Sequence, residues 1–159
     1  MTAQKSYRLG FIGAGKLAGS VIRGLMRARF CPPAEILASE PNEQTRMALG
    51  RETDVHLTAE NAEVAEKAEV IFIGVKPAMV LPVLRELSDK LRNKVVISLA
   101  GGVRISNMEK TGNARFMRAL TNTPSAICRA AAGISRGSRT TTEDVDLAKK
   151  IFGAIGVVV

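Results

Sequence analysis

An α/β fold is predicted, with a doubly wound, mainly parallel sheet of about eight strands and helices on both faces. Two observations predict it. Short apolar runs typical of strands alternate along the chain with amphipathic segments typical of helices. The clearest strand, residues 69–75, is continuously apolar, as expected of a parallel strand that is covered on both faces. We assign residues 1–159 to one domain, a size that allows a substantial core.

The composition excludes several classes of protein. The formal net charge is +8, but only 4% of residues are aromatic and the basic residues are scattered, so we expect no nucleic-acid partner. No stretch is long and apolar enough to span a bilayer, and the N-terminus lacks the apolar segment of a signal peptide. We therefore expect a cytoplasmic protein without a membrane partner. Cys31 and Cys128 are expected to be free thiols, and no metal site is expected.

The first elements form a strand, a glycine turn and a helix. After an irregular lead-in over residues 1–6, the apolar run 9–12 predicts a strand, and apolar spacing of three and four after residue 16 predicts a helix. Between them lies G-x-G-x-x-A, in the context that a dinucleotide-binding motif requires. Gly13 would permit the tight turn, Gly15 would let the backbone approach a pyrophosphate, and Ala18 would let the helix pack closely. The motif predicts a Rossmann-type fold.

The second strand is predicted at residues 35–39 and ends at Glu40, 22 residues after Ala18. An acidic residue at about this distance binds the ribose hydroxyls in dinucleotide sites. The alternative reading is an exposed charge at the end of a strand. A helix is predicted over residues 42–49, with Asn42 as its N-cap and Gly50 as its stop.

The middle of the chain continues the alternation. A weak strand at 55–57 carries His56, which we expect at the surface and not at a metal or catalytic site. Thr58 is predicted to cap a helix over 59–67. The strand at 69–75 is followed by a helix whose apolar face runs from Val80 to Leu91, with Pro82 in its first turn. A fifth strand is predicted at 94–99.

The last third adds three strands and two helices. A short helix is expected at 105–110 and a strand at 115–119. The connection to the next strand, near 133–136, shows little helical periodicity, so we predict that these two strands are antiparallel. A helix at 142–152 precedes an eighth strand that begins at Gly156. Because a domain seldom ends on a bare apolar strand, we expect the sequence to be part of a longer protein.

Three predicted parallel strands end in small or turn-forming residues, at 13–15, 75–77 and 100–102. The carboxyl ends of parallel strands share one edge of a sheet, and ligands bind at that edge. The sequence therefore predicts a ligand site there.

Four segments together resemble the nucleotide-binding domain of pyrroline-5-carboxylate reductases. They are F-I-G-A-G-K-L-A at 11–18, G-V-K-P at 74–77, I-S-L-A-G-G-V at 97–103 and M-R-A-L-T-N-T-P at 117–124. Their order and spacing match the family from about residue 9 to residue 159. The resemblance implies NAD(P)H-dependent reduction of the cyclic imine 1-pyrroline-5-carboxylate to L-proline, in proline biosynthesis.

The resemblance also implies which residues bind the cofactor and the substrate. In the family the glycine loop holds the pyrophosphate, two further loops line the nicotinamide side, and an asparagine contacts the adenosine end. The N-T-P segment is implied to lie on the substrate side. The matching residues are Ile12, Gly13, Ala14, Gly15, Lys16 and Leu17, then Val75, Lys76, Pro77, Leu99, Ala100 and Gly101, then Asn61, and finally Asn122, Thr123 and Pro124. Lys76 has an alternative reading as an exposed charge at the end of a strand.

Three departures from the family pattern bear on the substrate. The family's C-terminal helical domain, which forms the dimer and holds the imine, does not appear in these residues. The usual M-P-N-T-P is replaced by a segment with Thr121, and the usual Glu-Gly after it by Arg129-Ala130. No histidine or carboxylate is convincingly placed as a catalytic acid, and we name none.

The cofactor and two alternative functions complete the sequence-based predictions. We expect NADP(H) or NAD(H), with Glu40 favouring NAD(H) because its charge would repel a 2′-phosphate. The full-length protein is expected to be a homo-oligomer. The alternatives are another reductase with the same N-terminal fold, such as an F420-dependent NADP reductase, and a non-enzymatic nucleotide-binding module.

Overall fold

A computed structural model describes residues 5–159. The predicted lead-in over residues 1–6 therefore lies mostly outside the described residues, and Lys5 and Ser6 have no regular structure. Within residues 5–159 the structure contains eight strands, six α-helices and two 3-10 helices. The strands are β1 (Tyr7–Ile12), β2 (Ile36–Ser39), β3 (His56–Thr58), β4 (Ala68–Ile73), β5 (Val95–Ser98), β6 (Arg115–Leu120), β7 (Ala130–Arg136) and β8 (Gly156–Val158).

The α-helices alternate with the strands, as the sequence predicts. They are α1 (Lys16–Arg27), α2 (Glu43–Thr53), α3 (Asn61–Lys67), α4 (Pro77–Glu86), α5 (Ile105–Glu109) and α6 (Thr142–Gly153). The 3-10 helices span Pro33–Glu35 and Thr123–Ile127. Among the described residues, no helix combines the length and the apolar character needed to cross a membrane.

The strands form one sheet in the order β3-β2-β1-β4-β5-β6-β7-β8. All neighbouring pairs are parallel except β6 and β7, which are antiparallel with Leu120 opposite Gly133. The predicted doubly wound, mainly parallel sheet and its one antiparallel pair are thus confirmed. The antiparallel pair forms because β6 returns through a short 3-10 helix, which is too short for a parallel crossover.

Two apolar layers cover the two faces of the sheet. One layer packs α1, α2 and α6 against alternate residues of the strands, including Phe11, Phe72 and Ala132. The other packs α3, α4 and α5 against the residues between them, including Ile71, Val96 and Phe116. Both faces are buried in the centre, which explains why the central strands are continuously apolar.

Three local predictions are wrong. Gly50 does not stop α2, which continues to Thr53 and ends at Asp54 in the left-handed conformation (φ +61°). A Cβ at Gly50 would lie 2.9 Å from Leu57, so this glycine allows close packing on β3 instead. Pro82 is inside α4, because the helix already begins at Pro77.

The predicted cap at Thr58 is also displaced. The helix begins at Asn61, and the Thr58 hydroxyl accepts the backbone N–H of Glu60 at 3.1 Å in the turn before it. Asn42, in contrast, caps α2 as predicted by accepting the N–H of Thr45 at 2.9 Å. Cys31 and Cys128 are free, as predicted, and burial raises the pKa of the Cys31 thiol.

Candidate cofactor site

The carboxyl ends of β1, β4 and β5 lie side by side and bring three loops together. The backbone N–H of Gly74 donates to the carbonyl of Ile12 at 2.8 Å, and that of Leu99 donates to Ile73 at 3.0 Å. These bonds continue the parallel ladder just past the strands and hold the loops in register. We call this the carboxyl edge, comprising residues 13–18, 74–77 and 99–101.

Small residues allow the glycine turn to pack closely at this edge. Gly13 has φ +86°, a conformation that side chains other than glycine rarely adopt, and a Cβ there would lie 2.9 Å from the backbone of Gly74. A Cβ at Gly74 would in turn lie 2.6 Å from the Cβ of Ala18. Gly13 and Ala18 therefore bring the first turn of α1 against the end of β4, where larger side chains would separate them.

The N-terminus of α1 is open to a ligand. Its N-cap residue is Gly15, which has no side chain to accept the first-turn N–H groups, and no acidic residue lies in that turn. A Cβ added to Gly15 would meet no atom within 4 Å, so the space in front of the helix is free. Free N–H groups and a positive helix end form an anion site that suits a pyrophosphate.

A cavity of about 370 Å³ opens beside this helix end. Its lining combines the polar side chains of Glu40, Asn61 and Lys76 with the apolar side chains of Met79 and Val83 from α4. Its lining residues are Gly13, Gly15, Glu40, Pro41, Asn61, Gly74, Val75, Lys76, Met79 and Val83.

Glu40 is held at the rim of this cavity by backbone groups. One carboxylate oxygen accepts the N–H of Ala14 at 3.2 Å, and the other accepts the N–H of Asn42 at 2.9 Å. The Arg46 guanidinium donates to the backbone carbonyl of Glu40 at 2.8 Å. The carboxylate thus links the glycine loop to the turn after β2 and fixes a negative charge at the cavity.

Asn61 is oriented by a buried serine. The hydroxyl of Ser39, which is fully buried, donates to the side-chain oxygen of Asn61 at 2.7 Å. Its other contact, with the carbonyl of Phe11, is longer at 3.4 Å. Because the amide oxygen is occupied, the amide nitrogen of Asn61 is left to donate to a ligand.

A second cavity, of about 220 Å³, continues along the carboxyl edge. Its lining is Leu17, Gly74, Val75, Pro77, Leu99, Ala100 and Gly101. Gly74 and Val75 line both cavities, so the two together form one elongated site of mixed polarity. Two clefts of larger volume, about 420 and 540 Å³, share no lining residue with this elongated site.

Four of the predicted cofactor residues lie next to these cavities without lining them. Ile12 is fully buried in β1, and Ala18 is buried against Gly74. Ala14 contributes its backbone N–H to Glu40, and Lys16 is exposed on the first turn of α1. Ile12 and Ala18 support the glycine loop from the protein interior, and Ala14 and Lys16 border the cavities.

The N-T-P segment lies one strand further along the same edge. Asn122, Thr123 and Pro124 are exposed and follow β6, whose carboxyl end lies beside that of β5. The side-chain oxygen of Asn122 accepts the N–H of Ala131 at 3.2 Å and so ties the turn to β7. None of the three lines either cavity.

Sequence reasoning missed the apolar wall and the serine that orients Asn61. Met79 and Val83 form part of an ordinary apolar helix pattern, which does not distinguish a ligand wall from core. The available signal was their position in the first two turns after V-K-P, which place them above the end of β4. Ser39, a polar residue at the end of an apolar strand, was a signal as well.

The single histidine lies away from the carboxyl edge. His56, at the amino end of β3, accepts from or donates to the Tyr7 hydroxyl at 2.8 Å, on the opposite edge of the sheet. Residues 5–159 contain no cluster of three or more potential metal ligands. The arrangement can bind and orient an elongated ligand whose central part carries negative charge.

The sequence is similar to that of named reductases. It is 34% identical over 154 residues to a pyrroline-5-carboxylate reductase of Arabidopsis thaliana, covering 96% of this chain and 56% of the relative. It is 35% identical over 154 residues to that of Glycine max, again covering 96% and 56%. The chain therefore spans little more than half the length of these relatives.

Solved structures share the fold. A pyrroline-5-carboxylate reductase from Coxiella burnetii superposes with a TM-score of 0.90 at 30% identity, covering 98% of this chain and 58% of the other. A pyrroline carboxylate reductase from Plasmodium falciparum, solved with NADP bound, gives a TM-score of 0.87 at 21% identity, covering 99% and 58%. At that identity the second likeness shows the fold alone.

One protein family matches the part of the chain that contains the glycine turn, the open N-terminus of α1 and the loops after β4 and β5. The family described as NADP oxidoreductase, coenzyme F420-dependent, matches residues 8–102, which is more than half of the sequence. The chain belongs to this family of oxidoreductases.

Proposed function

We propose that this chain is the dinucleotide-binding part of a pyrroline-5-carboxylate reductase, which reduces 1-pyrroline-5-carboxylate to L-proline with NAD(P)H. The observation that carries the proposal is the elongated site at the carboxyl edge, bordered by the glycine turn and the loops after β4 and β5. The relatives with this name, which are similar along 96% of the chain, support the assignment of substrate. We also propose a cytoplasmic homo-oligomer for the full-length protein.

The residues present fit a nicotinamide dinucleotide. The pyrophosphate would lie against the open N-terminus of α1 at Gly15, where an anion is favoured. The adenosine would occupy the cavity of Asn61, Met79 and Val83, with its ribose near Glu40. The nicotinamide would lie in the second cavity, between Leu17, Pro77 and the loop 99–101.

The protein contributes to the reaction by positioning the nicotinamide and the imine. A bound nicotinamide dinucleotide supplies the hydride. The loop 99–101 and Pro77 line the second cavity, where they would orient the ring and exclude water from one side. Asn122, Thr123 and Pro124 are proposed to border the imine from the neighbouring strand end. No residue is assigned as the proton donor to the imine nitrogen.

A second candidate is a reductase that exchanges hydride between F420 and NADP. The family description favours it, since it names coenzyme F420. The N-T-P segment after β6 and the names of the similar relatives favour the imine reductase. A free nucleotide-binding module would bind the dinucleotide without either activity.

An activity screen of the protein encoded by the complete reading frame tests these alternatives. The proposal predicts NAD(P)H oxidation that depends on 1-pyrroline-5-carboxylate, with L-proline as product. F420-dependent oxidation of NADPH without imine reduction would establish the second candidate instead. Tight dinucleotide binding with neither reaction would favour the non-enzymatic module.

A further inference from the structure

A buried hydroxyl lies at the end of β2, directly behind the larger polar cavity. Ser39 is fully buried and follows three buried apolar residues of the same strand. Its backbone carbonyl accepts the N–H of Gly13 at 3.0 Å, and its backbone pairs in register with Ile12 and Thr58. These main-chain contacts do not involve the hydroxyl, so Ser39→Ala would leave the glycine turn attached to β2. The side chain can therefore be tested separately from the strand.

The direction of the hydrogen bond between Ser39 and Asn61 follows from its length. The Ser39 Oγ lies 2.7 Å from the side-chain oxygen of Asn61 and 3.4 Å from the carbonyl of Phe11. Hydroxyl-to-oxygen bonds are typically about 2.7–2.8 Å long, whereas bonds donated by an amide nitrogen are about 2.9–3.0 Å. The short distance therefore fits a hydroxyl that donates to the amide oxygen, and the longer contact with Phe11 is the weaker of the two.

This direction decides which atom of Asn61 is left for the cavity. Asn61 is half-buried at the start of α3 and lines the cavity together with Glu40. Among the described residues, the bond to Ser39 is the one hydrogen bond that the Asn61 side chain makes. Its amide nitrogen, a donor, remains for a bound molecule, whereas the Glu40 carboxylate can only accept. The cavity thus offers one donor and one acceptor, which complements adenosine, because ribose hydroxyls donate and the ring nitrogens of adenine accept.

We propose that Ser39 is a positioning residue for adenosine: its hydroxyl fixes the amide of Asn61 so that the amide nitrogen donates to an acceptor on the adenosine half of the dinucleotide. This inference rests on the dinucleotide site proposed above. Without the hydroxyl, the Asn61 amide is free to rotate and to present its oxygen instead, and an acceptor facing an acceptor is unfavourable. Ser39 therefore acts on adenosine through Asn61 and without touching it.

ADP is the probe, because it carries the adenosine and the pyrophosphate but no nicotinamide. It is titrated into the 159-residue wild type and into Ser39→Ala, Asn61→Ala and the double variant. Ser39→Ala should lose about three- to tenfold in affinity for ADP, and for NADH by the same factor. In the Asn61→Ala background, Ser39→Ala should cause no further loss. Losses that add in the double variant would overturn the proposal, since Ser39 would then not act through Asn61.

Ser98→Ala is the matched control. Ser98 is also fully buried at the end of a parallel strand, but its hydroxyl accepts the N–H of Ala100 beside the second cavity. Its replacement should leave the affinity for ADP unchanged. An equal loss in Ser98→Ala and Ser39→Ala would mean that any cavity at the strand ends weakens binding, and would overturn a specific role of Ser39.

Two further readouts separate positioning from general stability. Ser39→Thr keeps the hydroxyl and should retain the wild-type affinity for ADP, with thermal unfolding as the folding control. If the added methyl group unfolds this variant, the double-variant cycle still decides. The side-chain NH₂ signals of Asn61 in NMR spectra, identified by their loss in Asn61→Ala, should shift when ADP binds the wild type. Binding of ADP without that shift would overturn the proposal.

The experiment also distinguishes this proposal from the dinucleotide site on which it rests. If neither ADP nor NADH binds the wild type, the dinucleotide site is wrong and the role of Ser39 falls with it. If both bind the wild type and bind Ser39→Ala equally well, the dinucleotide site stands and the positioning role of Ser39 alone is refuted.

Discussion

At the scale of single residues, the carboxylate of Glu40 connects two loops. Its bonds to the N–H groups of Ala14 and Asn42 hold the glycine turn against the end of β2. The same bonds fix the charge at the cavity, beside the position that we propose for the ribose of a dinucleotide. The sequence predicted the position of Glu40 but not its partners, because the bond to Ala14 joins residues 26 positions apart and depends on how β1 and β2 pair.

Replacing Glu40 should change the choice of cofactor. Two like charges about 5 Å apart at an effective dielectric constant near 20 repel by about 3 kcal/mol, which screening reduces to about 1 kcal/mol. Wild type should therefore favour NADH modestly, and Glu40→Ser should gain several-fold in affinity for NADPH. Competitive titration of both cofactors measures this, with Glu40→Gln as a variant that removes only the charge. A wild type that prefers NADPH, with no gain in the serine variant, would show that Glu40 does not face the ribose.

At the scale of elements, α6 is joined to β6 by a partly buried ion pair. Arg115 donates to both carboxylate oxygens of Asp144, at 2.7 and 3.2 Å, and Asp144 also completes the capping box of α6 with Thr141. Burial alone would raise the pKa of Asp144, but its bonds to Arg115 and Thr141 together lower it. The lowered pKa means that the folded state favours the ionised carboxylate.

Asp144→Asn should lower the free energy of unfolding by about 2 kcal/mol at pH 7, because it removes the charge that pairs with Arg115 and leaves one amide oxygen for the bonds to Arg115 and Thr141. The pKa of Asp144 is lower in the folded state, so its stabilisation is complete above the unfolded pKa and is lost as pH falls through the folded pKa. Wild type should therefore lose stability below about pH 4 more steeply than the variant. Urea unfolding between pH 2 and pH 7 measures both effects. Asp146→Asn, on the exposed face of α6, is the control; equal losses in both variants would contradict this account.

Two glycines of α1 should respond oppositely to alanine. A Cβ at Gly24 would overlap the backbone carbonyl of Ser125, whereas a Cβ at Gly19 would approach the movable tip of Arg23 at 2.8 Å. Gly24→Ala should destabilise the protein by about 2 kcal/mol by separating α1 from the 3-10 helix Thr123–Ile127. Gly19→Ala should be neutral or stabilise by up to about 1 kcal/mol through helix propensity. Thermal unfolding compares them, and a stabilised Gly24→Ala would show that this contact is loose.

Over the whole molecule, the order of elements was predictable because burial on both faces leaves continuous apolar runs in the strands. The antiparallel β6–β7 pair was predictable from the missing helical crossover. The roles of Gly50 and Pro82 were not predictable from local preferences. Close packing of α2 on β3 determines the first role, and the start of α4 at Pro77 determines the second. The apolar wall of Met79 and Val83 was missed, because their apolar helix pattern is the same as that of core residues and only their place directly after V-K-P indicates the carboxyl edge.

The 159-residue chain should bind dinucleotide without the turnover of a full-length reductase. It spans 56% of the length of its Arabidopsis relative, and we propose that residues holding the imine lie in the part of such proteins that it does not match. Steady-state assays with 1-pyrroline-5-carboxylate and NAD(P)H measure this. Turnover comparable to that of a full-length reductase would show instead that these residues suffice.

The central claim is that the carboxyl edge binds a nicotinamide dinucleotide through the glycine turn. Calorimetric titration of NADH and NADPH into the wild type and Gly15→Val tests it most directly, because a valine side chain at Gly15 meets no protein atom within 4 Å of its Cβ but fills the space for a pyrophosphate. Gly153→Val, at the exposed end of α6, controls for the substitution itself. We predict saturable binding to the wild type and the control, and a loss of at least about tenfold in affinity in a fully folded Gly15→Val. Unchanged affinity in that variant, or no binding to the wild type, would contradict the claim.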